Sequence, residues 1–165
     1  MESRIRAAII TLSDKGSKGE RQDESGKLIG EMLATINALV VHYAILPDEK
    51  TLIMDSLTRL SDSGEADLVL TTGGTGVAPR DVTPEATREV LDRELPGMAE
   101  AMRAESLTKT PHAMLSRAVA GIRNRTLIIN LPGSPKAVRE NLAVVLPALT
   151  HAIEKIKGDP SDCAQ

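Results

Sequence analysis

Leu68-Val69-Leu70-Thr71-Thr72-Gly73-Gly74-Thr75-Gly76 is the stretch from which the fold class can be read. Five residues without polar alternation read as a short strand covered on both faces, which is the environment of a parallel sheet. Glycines end the strand, and after Asp81-Val82 the pair Thr83-Pro84 opens a helical stretch to Leu91. The same grammar returns at Leu127-Ile128-Ile129-Asn130-Leu131, followed by Pro132-Gly133-Ser134-Pro135. Thr83 and Ser134 suit N-cap positions, with proline at the first helical position after each.

Working outward, Ile5 to Leu12 is a continuous β-rich run, and Ser13 to Ser25 reads as a polar loop. Leu28, Ile29, Met32, Leu33 and Ile36 recur at helical spacing. Val40 to Leu46 reads as a second strand, with His42 in or at its edge, and Leu52, Ile53, Leu57 and Leu60 as a helix face. Met98 to Leu107 is helical, and the less regular span from Pro96 to Arg125 is expected to add a short hairpin. Val138, Leu142, Val145 and Leu149 form the stripe of a last helix that Pro147 should kink or break before His151. Strands alternating with helices predict a single three-layer α/β domain with a mostly parallel sheet. Its expected bounds are residues 1–157, with 158–165 as a flexible C-terminal tail.

Composition narrows the function. The chain has 165 residues, 41% hydrophobic and 26% charged, with a formal net charge of −3. Phe and Trp are absent and Tyr43 is the one aromatic residue, so base-stacking platforms for single-stranded nucleic acid are missing. Basic residues are scattered rather than gathered on a face, so nucleic acid is not an expected partner. The lone cysteine, Cys163, cannot form a disulfide within the chain, and the first apolar run is too short to span a membrane and lacks a cleavage site. A cytoplasmic protein without a membrane partner is the expectation.

In a parallel sheet both glycine loops fall at the carboxyl edge of their strands, where such folds bind ligands. Glycine lets the backbone approach closely, and helix starts attract anions. Two such loops on one edge point to a phosphate-bearing ligand. No Gly-x-x-x-x-Gly-Lys-Ser/Thr occurs, and Pro79 stands where the dinucleotide fingerprint needs its third glycine, so neither P-loop nor Rossmann chemistry fits. Asp48 and Asp81 follow strands on the same edge. They could hold Mg²⁺, which takes one or two carboxylates plus phosphate oxygens and waters. Equally, Asp48 could cap the helix from Glu49, and Asp81 could brace its own loop. Ser13 and Asp14 end the first strand and could contact a ligand or merely terminate it. Asp23 and Ser25 read as a solvated loop face, and Arg80, Ser116 and Arg117 offer guanidinium and hydroxyl groups to phosphates. His42, His112 and His151 show no metal-ligand spacing.

These residues resemble one family. Thr71 to Gly76, continued by Pro79-Arg80-Asp81-Val82-Thr83-Pro84-Glu85-Ala86-Thr87, is similar to the signature of the MogA/MoaB group of molybdenum-cofactor proteins, whose fold recurs in gephyrin-like G and E domains. Thr11-Leu12-Ser13-Asp14, Leu46-Pro47-Asp48-Glu49, Thr110 to Arg117 and Leu131 to Ala137 extend the match. The resemblance implies the molybdopterin-binding fold, commonly homotrimeric, and transfer of AMP from ATP to the terminal phosphate of molybdopterin with release of pyrophosphate. It implies Asp48 and Asp81 as catalytic, Mg²⁺-binding acids. Gly73, Gly74, Thr75, Gly76, Pro132, Gly133 and Ser134 would hold ATP or the adenylylated product, with Ser13 and Asp14 on the same edge and Ser116 and Arg117 near the pterin phosphate. Hand-over to a separate metal-insertion protein would follow. The alternative is a non-catalytic molybdopterin-binding or scaffold protein on the same fold, and retention of both acids favours the enzyme.

Overall fold

The computed structural model describes residues 4–163. Residues 1–3 and 164–165, which the expected boundaries assign to the domain and the tail, lie outside the described residues. The chain runs β1 (Arg6–Leu12), α1 (Asp14–Ser17), α2 (Glu24–Ala34), β2 (Leu39–Leu46), α3 (Lys50–Asp62), β3 (Leu68–Thr72) and α4 (Thr83–Val90). It continues through β4 (Arg93–Glu94), α5 (Pro96–Leu107), a 3₁₀ turn (Pro111–Leu115), β5 (Ala120–Arg123), β6 (Thr126–Leu131) and α6 (Pro135–Ile156).

One sheet has the order β2-β1-β3-β6-β5-β4. The first four strands are mutually parallel, and β5 joins antiparallel to β6 on one side and β4 on the other. The span from Pro96 to Arg125 thus supplies one strand, β5, rather than a hairpin of its own; its antiparallel partners β4 and β6 lie outside that span, and the chain turns into β6 at Asn124-Arg125. Asn124 adopts φ +51°, a conformation its short polar side chain tolerates.

Alternation along the central strands divides the core into two layers. Ala7, Ile9, Leu68, Leu70, Leu127, Ile129 and Leu131 face α2, α5 and α6. Ala8, Ile10, Leu12, Val69 and Ile128 face α3 and α4 through Ile53, Leu57, Leu60, Ala86 and Val90. Neither face reaches water, which is why these strands read as unbroken apolar runs. β2, at the edge, leaves Leu39, Val40 and Tyr43 exposed.

Two further local expectations need correction. α6 continues as one helix through Pro147. An interior proline costs about 3 kcal/mol. Beyond it Leu149 and Ile153 are almost wholly buried, each contributing roughly 1.5–3 kcal/mol, so burial carries the helix onward. The second correction concerns α4. Its N-cap is Val82, without a side-chain cap, and Thr83 is already helical. The Thr83 hydroxyl instead donates to the buried Gly73 carbonyl at 3.0 Å. Ser134 caps α6 as expected, accepting from the Ala137 amide at 3.2 Å.

At the amino end of the sheet, Asp67 is 3% exposed and receives Arg6 Nη2 at 2.8 Å and Lys157 Nζ at 2.9 Å. It also accepts the Arg6 amide at 2.9 Å. Burial pushes this carboxyl up, but the hydrogen bonds from Arg6 and Lys157 outweigh it and hold the group at about 2, below its ordinary 3.8. Its stabilisation is complete above 3.8 and is lost as pH falls through about 2, where the folded form must also take a proton. Asp67→Asn should therefore lower unfolding free energy by about 2 kcal/mol at neutral pH. Urea titrations should show the gap between parent and variant closing as the solution is acidified. A gap that persists unchanged in acid would assign the effect to packing rather than charge.

Candidate active site

Zero register offset brings the strand ends level. Thr11 pairs with Thr72, and Thr72 with Leu131. The loops that follow therefore touch. The Gly73 amide donates to Leu131 O at 3.2 Å, and the Thr72 hydroxyl donates to Pro132 O at 2.7 Å. Gly74 and Gly133 lie at the same end of the sheet, as their strands require.

Gly73 and Gly74 adopt φ +97° and +67°. A side chain at Gly74 would collide with the Thr83 hydroxyl and stand 3.0 Å from Asp48 Oδ1. The loop is anchored from below: Asn130 Nδ2 donates to Thr71 at 2.9 Å and to Thr87 at 3.0 Å. Thr87 in turn donates to Thr83 O at 2.8 Å. All four of these side chains are buried, so the glycine loop rests on a satisfied polar network rather than on solvent.

A cavity of about 760 Å³ opens over this edge, within the range of small-ligand sites. Its lining includes Ser13, Asp14, Asp48, Gly73, Gly74, Asp81, Gly133 and Ser134. Thr75, Gly76, Pro132, Ser116 and Arg117 stand outside it. The Arg117 amide donates to Thr75 O at 2.8 Å, and its guanidinium donates to Gly76 O, Asp81 O and Glu85. Arg117 thus holds the loop that carries Asp81. Among the described residues Ser116 Oγ accepts only the Ala118 amide, at 3.4 Å.

Asp48 does not cap α3. Glu49 occupies the N-cap without a side-chain bond. Asp48 and Asp14 instead clasp each other: the Asp14 amide donates to Asp48 Oδ2 at 3.1 Å, and the Asp48 amide donates to Asp14 Oδ1 at 3.0 Å. Arg80, which the sequence offered as a phosphate contact, closes on Asp14 at 2.8 and 2.9 Å and reaches Glu49 at 3.0 Å. This guanidinium holds the Asp14 carboxyl below its ordinary value. Asp48 Oδ1 is buried without a partner among the described residues. Burial raises the Asp48 carboxyl above 3.8, and the charges of Asp14 and Asp81 add to that rise. Asp81 does brace its loop, through Oδ2 to the Ala78 amide at 2.9 Å. Bracing occupies one oxygen and leaves the residue on the cavity wall.

The supposed solvated loop is ordered. Ser13 caps α1 by accepting the Gly16 amide at 2.9 Å. Asp23 caps α2 and also accepts from Thr11 at 2.6 Å and from Tyr43. Burial, with Asp23 beside it, pushes the Tyr43 phenol up to about 12, so it remains a donor. Ser25 is buried and donates to Gly133 O at 2.7 Å. Asp23 before a helical run was the legible capping signal; the reach of Ser25 across 108 positions was not.

The family description "Probable molybdopterin binding domain" matches residues 8–151. The chain belongs to that molybdopterin-binding domain family. It is 50% identical over 157 residues to a molybdopterin adenylyltransferase of Helicobacter pylori strain J99, covering 94% of this chain and 89% of the relative. A molybdopterin adenylyltransferase of Escherichia coli K12 is 44% identical over 146 residues, covering 87% and 75%. The crystal structure of the molybdopterin biosynthesis enzyme MoaB from Thermus thermophilus superposes with a TM-score of 0.89 at 55% identity, covering 96% of this chain and 99% of that one. The expected α/β fold and family resemblance are thereby borne out.

A carboxyl raised by burial destabilises the fold once ionised, because stability falls as pH rises from 3.8 through its folded value. Asp48→Asn keeps an acceptor for the Asp14 amide while removing that charge. It should melt at or above the parent temperature at neutral pH. A clear drop in melting temperature would mean that Asp48 serves the fold rather than a ligand.

Proposed function

We propose that the chain is a molybdopterin adenylyltransferase, with residues 1–157 as its catalytic domain and ATP as co-substrate. The supporting observation is Asp48 Oδ1, a buried carboxylate oxygen with no partner among the described residues, beside two glycine loops that meet on one sheet edge. The H. pylori relative of that name is 50% identical to this chain over 157 residues.

In the proposed reaction an oxygen of the terminal phosphate of molybdopterin attacks the α-phosphorus of ATP, and pyrophosphate departs. No His or Cys lines the cavity among the described residues. In this reading the substrate phosphate is itself the nucleophile, and the protein works by positioning and charge. The Gly73-Gly74 backbone lets phosphates approach closely, and Ser134 and Pro135, at the start of α6, line the same cavity. Asp14 fixes the loop after β2 through the Asp48 clasp, and Ser13 holds the start of α1 by capping it. Thr75, Gly76 and Pro132 act as loop backbone, and Arg117 through the loop it holds, with Ser116 beside it in the chain.

The donor set fits Mg²⁺: an unpartnered carboxylate oxygen on Asp48 and a second acid, Asp81, close enough to perturb it. When bound there, the ion would neutralise phosphate oxygens and orient the triphosphate. Among the described residues no cluster of three metal-ligating side chains occurs, and a site completed by phosphates and water needs none.

The proposal extends to a homotrimer, supported by the exposed apolar side chains of Val77, Met114 and Leu115. It also includes hand-over of the adenylylated product to a separate metal-insertion protein. A cytoplasmic setting suits the single free thiol, Cys163. No helix among the described residues is long and apolar enough to cross a membrane.

Purified protein given molybdopterin, ATP and Mg²⁺ should release pyrophosphate. Asp48→Asn and Asp81→Asn should lose roughly 100-fold or more in turnover, the scale of removing one electrostatic stabiliser. Folded protein that binds both substrates without releasing pyrophosphate defeats the proposal, and variants as competent as the parent would indicate a binder. Sedimentation should return three times the chain mass; a single-chain mass at micromolar concentration counts against the trimer.

A further inference from the structure

The cavity has an unusual charge distribution for a nucleotide site. Five acids line it: Asp14, Asp23, Glu24, Asp48 and Asp81. Only two cations do, Lys15 and Arg21, and both stand on the segment between β1 and α2. The other arginines near the edge are committed elsewhere, Arg80 to Asp14 and Glu49, and Arg117 to Glu85 and loop carbonyls. Lys15 and Arg21 are exposed, and neither side chain has a hydrogen bond or ion pair among the described residues.

The segment is not a slack loop. α1 ends with the Gly19 amide on Gly16 O and the Glu20 amide on Lys15 O, both at 3.0 Å, with Gly19 at φ +74°. That is the paired closure of a helix that stops on glycine. It turns the chain back so that Lys15 and Arg21 border one cavity. Ser13 fixes its near end by capping α1, and Asp23 its far end by capping α2.

We propose that Lys15 and Arg21 form the polyphosphate-binding arm of this cavity, closing on the β- and γ-phosphates of the nucleotide. This rests on the adenylyl-transfer reading. In that reaction a phosphate oxygen of the acceptor bonds to the α-phosphorus, while the bond from that phosphorus to the oxygen bridging to the β-phosphate breaks. The electron pair of the broken bond leaves on pyrophosphate, so negative charge grows on the departing group. Fixed acids on the cavity floor disfavour that charge, and cations on the arm offset it where it develops. The fork of Arg21 suits two phosphate oxygens and the ammonium of Lys15 a single one.

Calorimetry with Mg²⁺ and three probes, ATP, pyrophosphate and AMP, tests the arm without turnover. Lys15→Ala and Arg21→Ala should each weaken ATP and pyrophosphate roughly ten-fold, the loss of a charge-assisted hydrogen bond, and leave AMP within about two-fold. Arg21→Lys should recover part of the loss, and the double variant should show a flatter salt dependence for ATP. Melting curves matching the parent establish that the variants fold. If the parent binds ATP and pyrophosphate but the variants bind them equally well, or lose AMP in the same proportion, the arm is overturned while adenylyl transfer stands. If the parent binds neither probe, the adenylyl-transfer reading fails and the arm falls with it.

Discussion

The site depends on the flush carboxyl ends of β1, β3 and β6. Because Thr11, Thr72 and Leu131 share one level, the loops that follow have no room to diverge. The Gly73 amide and Thr72 hydroxyl are satisfied by the neighbouring strand's exit at Leu131 and Pro132. Register is secured far from the site, by burial of both sheet faces. A one-residue slip of β3 would move Leu68 and Leu70 into the layer built for Val69, exchanging contacts in both cores at once.

Each end of the sheet holds one buried oxygen without a partner among the described residues, Asp48 Oδ1 here and Ser61 Oγ near Asp67, but only this end leaves a carboxylate so placed. Two successive glycines at positive φ, a buried carboxylate oxygen without a partner and a carboxyl raised by burial all lie within one cavity. At the opposite end Asp67 is also buried, yet two cations and an amide satisfy it and its carboxyl is held down. Two aspartates on one sheet thus perturb in opposite senses. The paired one serves the fold, and the unpaired one is the acid that the proposed function assigns to a ligand.

Much of this was legible in the chain. The strands showed as apolar runs because parallel strands are buried twice, and both glycine loops, Ser134 as a cap and the two acids followed from strand-to-helix punctuation. What escaped was set by partners distant in sequence. Thr83 looked like a cap, but its hydroxyl donates to the Gly73 carbonyl, ten positions back in the chain. Asn130 looked like one more strand residue, although it links β3, β6 and α4. Arg80 looked available to a phosphate, but Asp14, 66 positions away in the chain, engages its guanidinium. Pro147 signalled a break that apolar burial on both of its sides overrode.

The same distinction separates the two walls of the cavity. The glycine-loop wall is tied through Thr83, Thr87 and Asn130 to the fully buried centre of the sheet, so opening it would cost core packing and a satisfied network together. The wall from Lys15 to Gln22 rests on a four-residue helix and a glycine closure, with its side chains in solvent. A helix that short has little stability of its own, which puts this segment at the low end of local unfolding free energies. A rigid floor that fixes acids and backbone amides, facing a weakly held cationic wall, suits a reaction that must admit two large anions and let one leave.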